Sequence, residues 1–241
     1  MKRLESYEPS DAFDFVRRLA EATSRRRFLK WAGVTVAVAT VGCGDDGSDI
    51  VAPGTGGNGA REVSLGTGDN GVLNYAYVLE QLEAAFYSIV VGGPYADAPE
   101  EEIALLTDIR DHEVIHRDFL ASTLGSNAIA QLSFTFSGLD FTSRDAVLDT
   151  ARRFEDVGVA AYNGVAAQLT DPNNLLIVGK IVSVEGRHAA AIRDLIDPLT
   201  EAFAGDDVVD PRGLDGSLTP SQALQRVRPF ITTTINASGL A

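Results

Sequence analysis

The fold is decided by two short stretches of sequence, His112-Glu113-Val114-Ile115-His116 and Val184-Glu185-Gly186-Arg187-His188. Each contains the pattern Glu-x-x-His within a segment whose apolar residues recur every three or four positions, which is typical of an amphipathic helix. Residues three apart in a helix share a face and lie about 4.5 Å apart along its axis. The pattern therefore predicts two helices that each turn a glutamate and a histidine toward the core.

The same periodicity predicts four helices, over about residues 71–91, 99–124, 143–169 and 173–196. Each apolar stripe carries one glutamate at its middle, and these are Glu80, Glu113, Glu155 and Glu185. In the first and third helices a tyrosine follows the glutamate by seven residues, at Tyr87 and Tyr162. Seven residues make two helical turns, so the glutamate and tyrosine share a face. The chain thus contains the same pattern twice: a helix with a glutamate and a tyrosine, followed by a helix with Glu-x-x-His.

The connections indicate how the helices are arranged. Gly92-Gly93-Pro94 and Asp171-Pro172 mark short turns, so the first two and the last two helices form antiparallel hairpins. About 18 residues, Gly125–Thr142, join the hairpins, and the alternation Leu132-Ser-Phe134-Thr-Phe136 indicates a segment that lies extended against the helices. The sequence therefore predicts an all-α four-helix bundle of two antiparallel hairpins joined by a long crossover.

Four ionised carboxylates cannot share an apolar core without compensation, because desolvation and repulsion would unfold the bundle or force the carboxylates to take up protons. Two divalent cations cancel four negative charges, and two neutral imidazoles complete the ligand set. Oxygen-rich ligation with one imidazole per ion suits iron or manganese better than zinc or copper. We therefore expect two divalent metal ions, Fe or Mn, in the bundle.

Three stretches, Leu79–Tyr87, His112–His116 and Ser183–Ala189, resemble the exported ferritin-like domain family, which includes desiccation-related proteins, and their spacing is similar to that of bacterioferritin. The resemblance covers about residues 71–197. It implies a ferritin-like bundle in which Glu113 and Glu185 bridge the two metal ions. The implied ligands are Glu80, Glu113, His116, Glu155, Glu185 and His188. The alternative is a relic site that no longer binds metal.

The resemblance also implies roles for the two tyrosines. Tyr87 and Tyr162 would be catalytic neighbours of the metal ions, either as hydrogen-bond donors to the ligands or as redox-active groups. Plain core packing is the alternative for both, because a tyrosine in a bundle usually packs and finds one partner.

Two residues near the ligands are ambiguous. Glu83 lies on a row adjacent to Glu80, and the seven-residue relation to Tyr87 favours Glu80 as the ligand. His112 points about 100° away from Glu113 on its helix, so we expect it to be a bystander. Many di-iron bundles carry an aspartate at this position, where it orients a ligand histidine across the site. Here the two corresponding positions hold His112 and Val184.

The first 42 residues resemble an export signal. Ser24–Lys30 is similar to the twin-arginine motif, and the apolar stretch Trp31–Val41 behind it is too short to cross a bilayer. Thr40-Val41-Gly42-Cys43 resembles a lipobox, which would lipidate Cys43 and anchor the chain to a membrane without spanning it. Cleavage after Ala37-Val38-Ala39 is the alternative. We expect a periplasmic or cell-surface protein.

The rest of the chain divides into a Gly- and Asp-rich tether (43–70), the bundle (71–197) and a C-terminal extension (198–241) with one short helix that begins at Thr219-Pro220. Residues 43–241 carry 12 basic and 29 acidic side chains, a formal charge of −17. This charge argues against nucleic-acid binding. The single cysteine excludes an intrachain disulfide framework.

Two classes of function follow. The first is a di-metal oxidoreductase that acts on peroxide, O2 or iron(II) in the cell envelope, with peroxidase, catalase-like or ferroxidase activity. The second is a non-catalytic envelope protein that protects against desiccation or salt stress. A homo-oligomer is compatible with both.

Overall fold

The structure is a computed structural model, and it describes residues 62–240. Its long helices are α1 (Gly68–Gly92), α2 (Glu100–Leu124), α3 (Arg144–Val165) and α4 (Pro172–Ile196). The extension adds the short helix α5 (Pro220–Val227) and the strand β2 (Thr234–Asn236), which pairs in parallel with β1 (Glu62–Ser64). The all-α four-helix class predicted from the sequence is confirmed. Within residues 62–240 no helix is both long and apolar enough to cross a membrane.

The helix ends follow local chemistry. Helix α2 starts after Pro99 with acidic residues in its first turn, where they favour the positive end of the helix dipole. The side chains of Ser143 and Asp171 accept hydrogen bonds from backbone N–H groups at the starts of α3 and α4. Helix α3 ends at Val165, earlier than the predicted residue 169, because the chain tightens into a 3₁₀ turn over Ala166–Gln168.

The crossover between the hairpins packs on the helices, as its alternating pattern predicted. Leu132 is buried, and its backbone N–H donates to the Gln81 side chain of α1 at 2.8 Å. Phe136 packs against Phe86 of α1 with ring centroids 5.9 Å apart. Phe134 forms a β-bridge with Ile231 of the extension. The crossover thus becomes a layer between α1 and the C-terminal extension.

The C-terminal extension is bound to the second hairpin. Thr219 and Gln222 form the capping box that starts α5, consistent with the predicted helix. Leu218 donates its backbone N–H to the Ala160 carbonyl of α3 at 2.8 Å. The guanidinium of Arg193 in α4 is buried and bridges Asp156 of α3 to Asp207 of the extension. The extension is therefore part of the folded domain.

The folded part begins earlier than the sequence predicted. The expected tether reached residue 70, whereas β1 occupies 62–64, Leu65 is fully buried and α1 starts at Gly68. Three-residue strands show no usable periodicity, which explains the difference. The predicted signal, the lipobox with Cys43 and tether residues 43–61 lie outside the described residues.

The close passage of the extension over α3 gives a first prediction. A Cβ added at Gly164 would collide with the backbone carbonyl of Leu218. We expect Gly164→Ala to lower the free energy of unfolding by about 1–3 kcal/mol, the usual cost of overpacking. Gly179→Ala in α4 is the matched control, since a Cβ there meets no atom of residues 62–240 within 4 Å. It should raise the free energy of unfolding by up to about 1 kcal/mol.

Urea unfolding followed by circular dichroism measures both values. Equal stability of the two variants would contradict the close approach between Gly164 and Leu218.

Candidate metal centre

Four glutamates lie inside the bundle, one from each long helix, and all are fully buried. They are Glu80, Glu113, Glu155 and Glu185. Burying an ionised carboxylate costs several kcal/mol unless protons, cations or hydrogen bonds compensate it. The bundle therefore has to supply that compensation within the core.

The glutamates combine with two histidines into two overlapping groups that can hold metal ions. Within each group, one ligand atom per residue lies within 4.8 Å of the others. The first group is Glu80, Glu113, His116 and Glu185, and the second is Glu113, Glu155, Glu185 and His188. Glu113 and Glu185 belong to both groups, the arrangement expected of bridging carboxylates. The structure thus brings the six predicted ligands together, and metal binding by them stays a prediction.

Both histidines point Nδ1 into the cluster. His116 Nδ1 lies 2.9 Å from Glu185 Oε1 and 3.4 Å from Glu80 Oε2. His188 Nδ1 lies 2.7 Å from Glu113 Oε1 and 3.7 Å from Glu155 Oε2. The nearest carboxylate to each histidine comes from another helix. The Glu-x-x-His partner on the same helix is farther away, at 3.6 Å for His116 and 3.7 Å for His188.

These contacts are close, yet they are not aligned as hydrogen bonds. Among the described residues, eight buried nitrogen and oxygen atoms of the six side chains have no aligned hydrogen-bond partner. They include both oxygens of Glu113 and Glu185 and the Nδ1 atoms of both histidines. Buried polar atoms normally have partners, so a cluster of converging polar atoms needs an explanation, and a metal ion held between them is one.

The two tyrosines donate hydrogen bonds to Glu80 and Glu155, the glutamates that each belong to a single ligand group. Tyr87 of α1 donates to Glu155 Oε1 of α3 at 2.5 Å, and Tyr162 of α3 donates to Glu80 of α1. Each tyrosine therefore contacts the glutamate of the opposite helix, although it shares a face with the glutamate of its own. Since α1 and α3 run antiparallel, a spacing of two turns brings each hydroxyl level with the opposite carboxylate.

Charge within the cluster raises the pKa of both histidines. Burial lowers the pKa of His116, and the carboxylates of Glu80, Glu113 and Glu185 outweigh it and raise that pKa far above 6.5. Burial also lowers the pKa of His188. The carboxylates of Glu155 and Glu113 outweigh this effect and raise the pKa of His188 to about 11. Without metal, both imidazoles are therefore protonated at neutral pH and act as counter-ions.

The surroundings of the glutamates shift their pKa values in different directions. Burial, followed by repulsion from Glu185, raises the pKa of Glu80 well above 4.5. Burial also raises the pKa of Glu155 well above 4.5. At Glu113, burial is outweighed by contacts with His116 and His188, which lower its pKa to about 2. The raised pKa values of Glu80 and Glu155 favour their protonated forms, which reduces the charge that the core has to hold.

Glu83 is a fifth buried carboxylate beside the centre. It belongs to neither of the two ligand groups, in line with the choice of Glu80 over Glu83. A Cβ built on Gly158 of α3 would lie 3.1 Å from Glu83 Oε1 and 3.8 Å from Glu185 Oε2. The missing side chain at Gly158 therefore leaves room for the Glu83 carboxylate against α3.

His112 belongs to neither ligand group, but it contacts the candidate ligand His188, which the sequence did not predict. His112 Nδ1 lies 3.0 Å from Nε2 of His188, and the ring centroids are 5.2 Å apart with planes only 9° apart, so the two rings lie nearly coplanar and meet at these nitrogens. Burial and the neighbouring His188 and His116 lower the pKa of His112, which favours its neutral form. The turn of about 100° per residue directs His112 away from Glu113 and toward the neighbouring helix α4, where it meets His188.

A helical bundle that encloses carboxylate and imidazole groups able to hold metal ions defines the class of this protein. The family model for the ferritin-like domain matches residues 68–198. The chain belongs to the ferritin-like domain family. A search of curated proteins found no match.

Proton competition gives a second prediction. Both histidine pKa values are raised, so the metal-free protein holds a proton on each imidazole that metal must displace. We expect loading with Mn²⁺ or Co²⁺ near pH 7 to release at least one proton from each histidine. The overall affinity should rise with pH, by about a hundredfold per pH unit if two protons leave. Calorimetry in buffers of different ionisation enthalpy measures the protons released.

A Glu113→Gln, Glu185→Gln double variant is the control and should release none. Metal binding with an affinity independent of pH would contradict the protonation of the metal-free cluster.

The tyrosine hydroxyls give a third prediction. Tyr87→Phe removes the donor to Glu155, and we expect it to lower the free energy of unfolding by about 1–2 kcal/mol. Tyr75→Phe is the matched control, because the Tyr75 hydroxyl is buried without a partner in the part of the chain that the structure describes. Its removal should be neutral or stabilising. Urea unfolding of the two metal-free variants measures this difference, and equal losses would show that Tyr87 only packs.

Proposed function

We propose that the bundle binds two divalent ions, iron or manganese, and carries out redox chemistry on peroxide, O2 or iron(II). The observation that carries this proposal is the convergence of eight buried lone-pair atoms without aligned hydrogen bonds between four helices. Four carboxylates and two imidazoles form an oxygen-rich donor set that fits these metals. When bound, a pair of such ions exchanges two electrons with peroxide or O2 without releasing radicals.

The residues of the chain have distinct tasks in this proposal. Glu113 and Glu185 connect the two ligand groups, and Glu80 and Glu155 each complete one of them. The hydroxyls of Tyr162 and Tyr87 hold those two terminal carboxylates and limit how far they move.

Access to the centre favours a small oxidant. The four glutamates are fully buried, whereas His112 and His116 of α2 are partly exposed. A molecule that approaches between α2 and α4 would therefore meet histidines first, and the full burial of the carboxylates suits peroxide or O2 better than a large substrate.

The composition around the centre is compatible with an oxidant. Met1 and Trp31 are the only methionine and tryptophan, and Cys43 is the only cysteine, so residues 62–240 contain none of these easily oxidised side chains. Tyrosines are then the main oxidisable groups near the site.

Metal analysis and peroxide turnover test the proposal together. We expect about two Fe or Mn per chain in protein purified from its native compartment, and loss of both metal and turnover in Glu113→Ala. Glu102→Gln is the matched control, because Glu102 is a buried glutamate of α2 that pairs with Arg144 outside the centre. It should keep its metal. A stably folded native protein without metal would instead favour the protective, non-catalytic role.

We further propose that the N-terminal segment exports the folded protein by the twin-arginine route and that Cys43 is lipidated. Export after folding lets the ligands select iron or manganese before copper or zinc can compete. We expect Arg25→Lys, Arg26→Lys to retain the protein in the cytoplasm, and Cys43→Ser to release it from the membrane fraction. Fractionation followed by immunoblotting measures both, and unchanged distributions would contradict the export proposal.

A further inference from the structure

His188 has contacts at both ring nitrogens, in opposite directions. Its Nδ1 faces the carboxylates, 2.7 Å from Glu113 Oε1, and its Nε2 lies 3.0 Å from Nδ1 of His112. His188 is buried, whereas His112 is partly exposed. The second contact therefore connects a residue of the centre to a residue at the rim of the α2–α4 side.

The hydrogen bond at one nitrogen of a neutral imidazole determines which nitrogen is free to bind metal. When Nδ1 of His188 is a ligand, its proton resides on Nε2 and is donated to Nδ1 of His112. His112 then carries its own proton on Nε2. The 3.0 Å contact fits an arrangement in which His112 Nδ1 accepts from Nε2 of His188, which leaves Nδ1 of His188 as the nitrogen that binds the ion once metal has displaced its proton.

We propose that His112 is a positioning residue that holds His188 in the tautomer with Nδ1 directed at the carboxylates, and that it makes the two halves of the centre unequal. The inference rests on the proposed metal centre. The corresponding position before Glu185 is Val184, whose side chain has no polar atom to offer His116. One ligand histidine is thus held from across the bundle, and the other is not.

Two substitutions separate the hydrogen bond from the contact between the rings. His112→Phe keeps an aromatic ring beside His188 and removes the acceptor. His112→Asn removes the ring and keeps an acceptor oxygen near the position of Nδ1. Val184→Ala is the matched control at the corresponding position of α4. His112→Leu serves as a second variant without an acceptor in case His112→Phe does not fold.

The full chain is titrated with Co²⁺, and binding is followed by calorimetry and by visible absorption. We expect the wild type to bind in two steps. His112→Phe should weaken one step by about 10–100-fold and leave the other step and its absorption bands unchanged. His112→Asn and Val184→Ala should bind like the wild type. The absorption bands report the ligand field of the ion, which a loss of general stability does not shift selectively.

Several results would overturn the inference alone, with the wild type still binding Co²⁺. They are binding by His112→Phe that equals the wild type, binding by His112→Asn as weak as that of His112→Phe, and equal weakening of both steps. A wild type that binds no Co²⁺ would overturn the proposed metal centre itself, and this inference with it.

Discussion

The structure depends on the burial of four carboxylates between four helices. No apolar contact compensates that charge, so protons or cations have to do so. In the metal-free protein the compensation comes from two protonated histidines and from glutamates whose pKa is raised by burial. Because the same atoms could bind metal, protons and metal ions would compete for the same lone pairs.

The remaining stability comes from two apolar core clusters. One includes Leu73 and Ile181, and the other, larger one includes Phe86 and Ile192. Every long helix contributes to at least one of these clusters, so ordinary core packing accompanies the buried glutamates. Such an arrangement keeps the helices in register whether or not a metal is present, and it holds the ligand atoms close together in advance.

The periodicity of the sequence was sufficient to predict the helices, their order and the six clustered side chains, because a 3.6-residue repeat determines which residues share a face. It could not reveal which helix a side chain contacts across the bundle. That depends on the axial offset and rotation of neighbouring helices, which the repeat does not determine. For this reason the shared helix face could not show that Tyr87 contacts Glu155, nor that His112 contacts His188. The pairing of β1 with β2, from opposite ends of the described chain, leaves even less trace in two segments of three residues.

The pattern that the two hairpins share is broken at two positions. At both positions the first hairpin carries an additional polar side chain. Three residues after the first glutamate of each hairpin stand Glu83 and Gly158, and directly before the second stand His112 and Val184. Each additional polar group reaches the opposite hairpin, Glu83 over Gly158 and His112 to His188. A side chain at position 158 would crowd the Glu83 carboxylate, so the two members of that pair depend on each other. The asymmetry thus consists of two residue pairs across the bundle, and it gives the two overlapping ligand groups different neighbours.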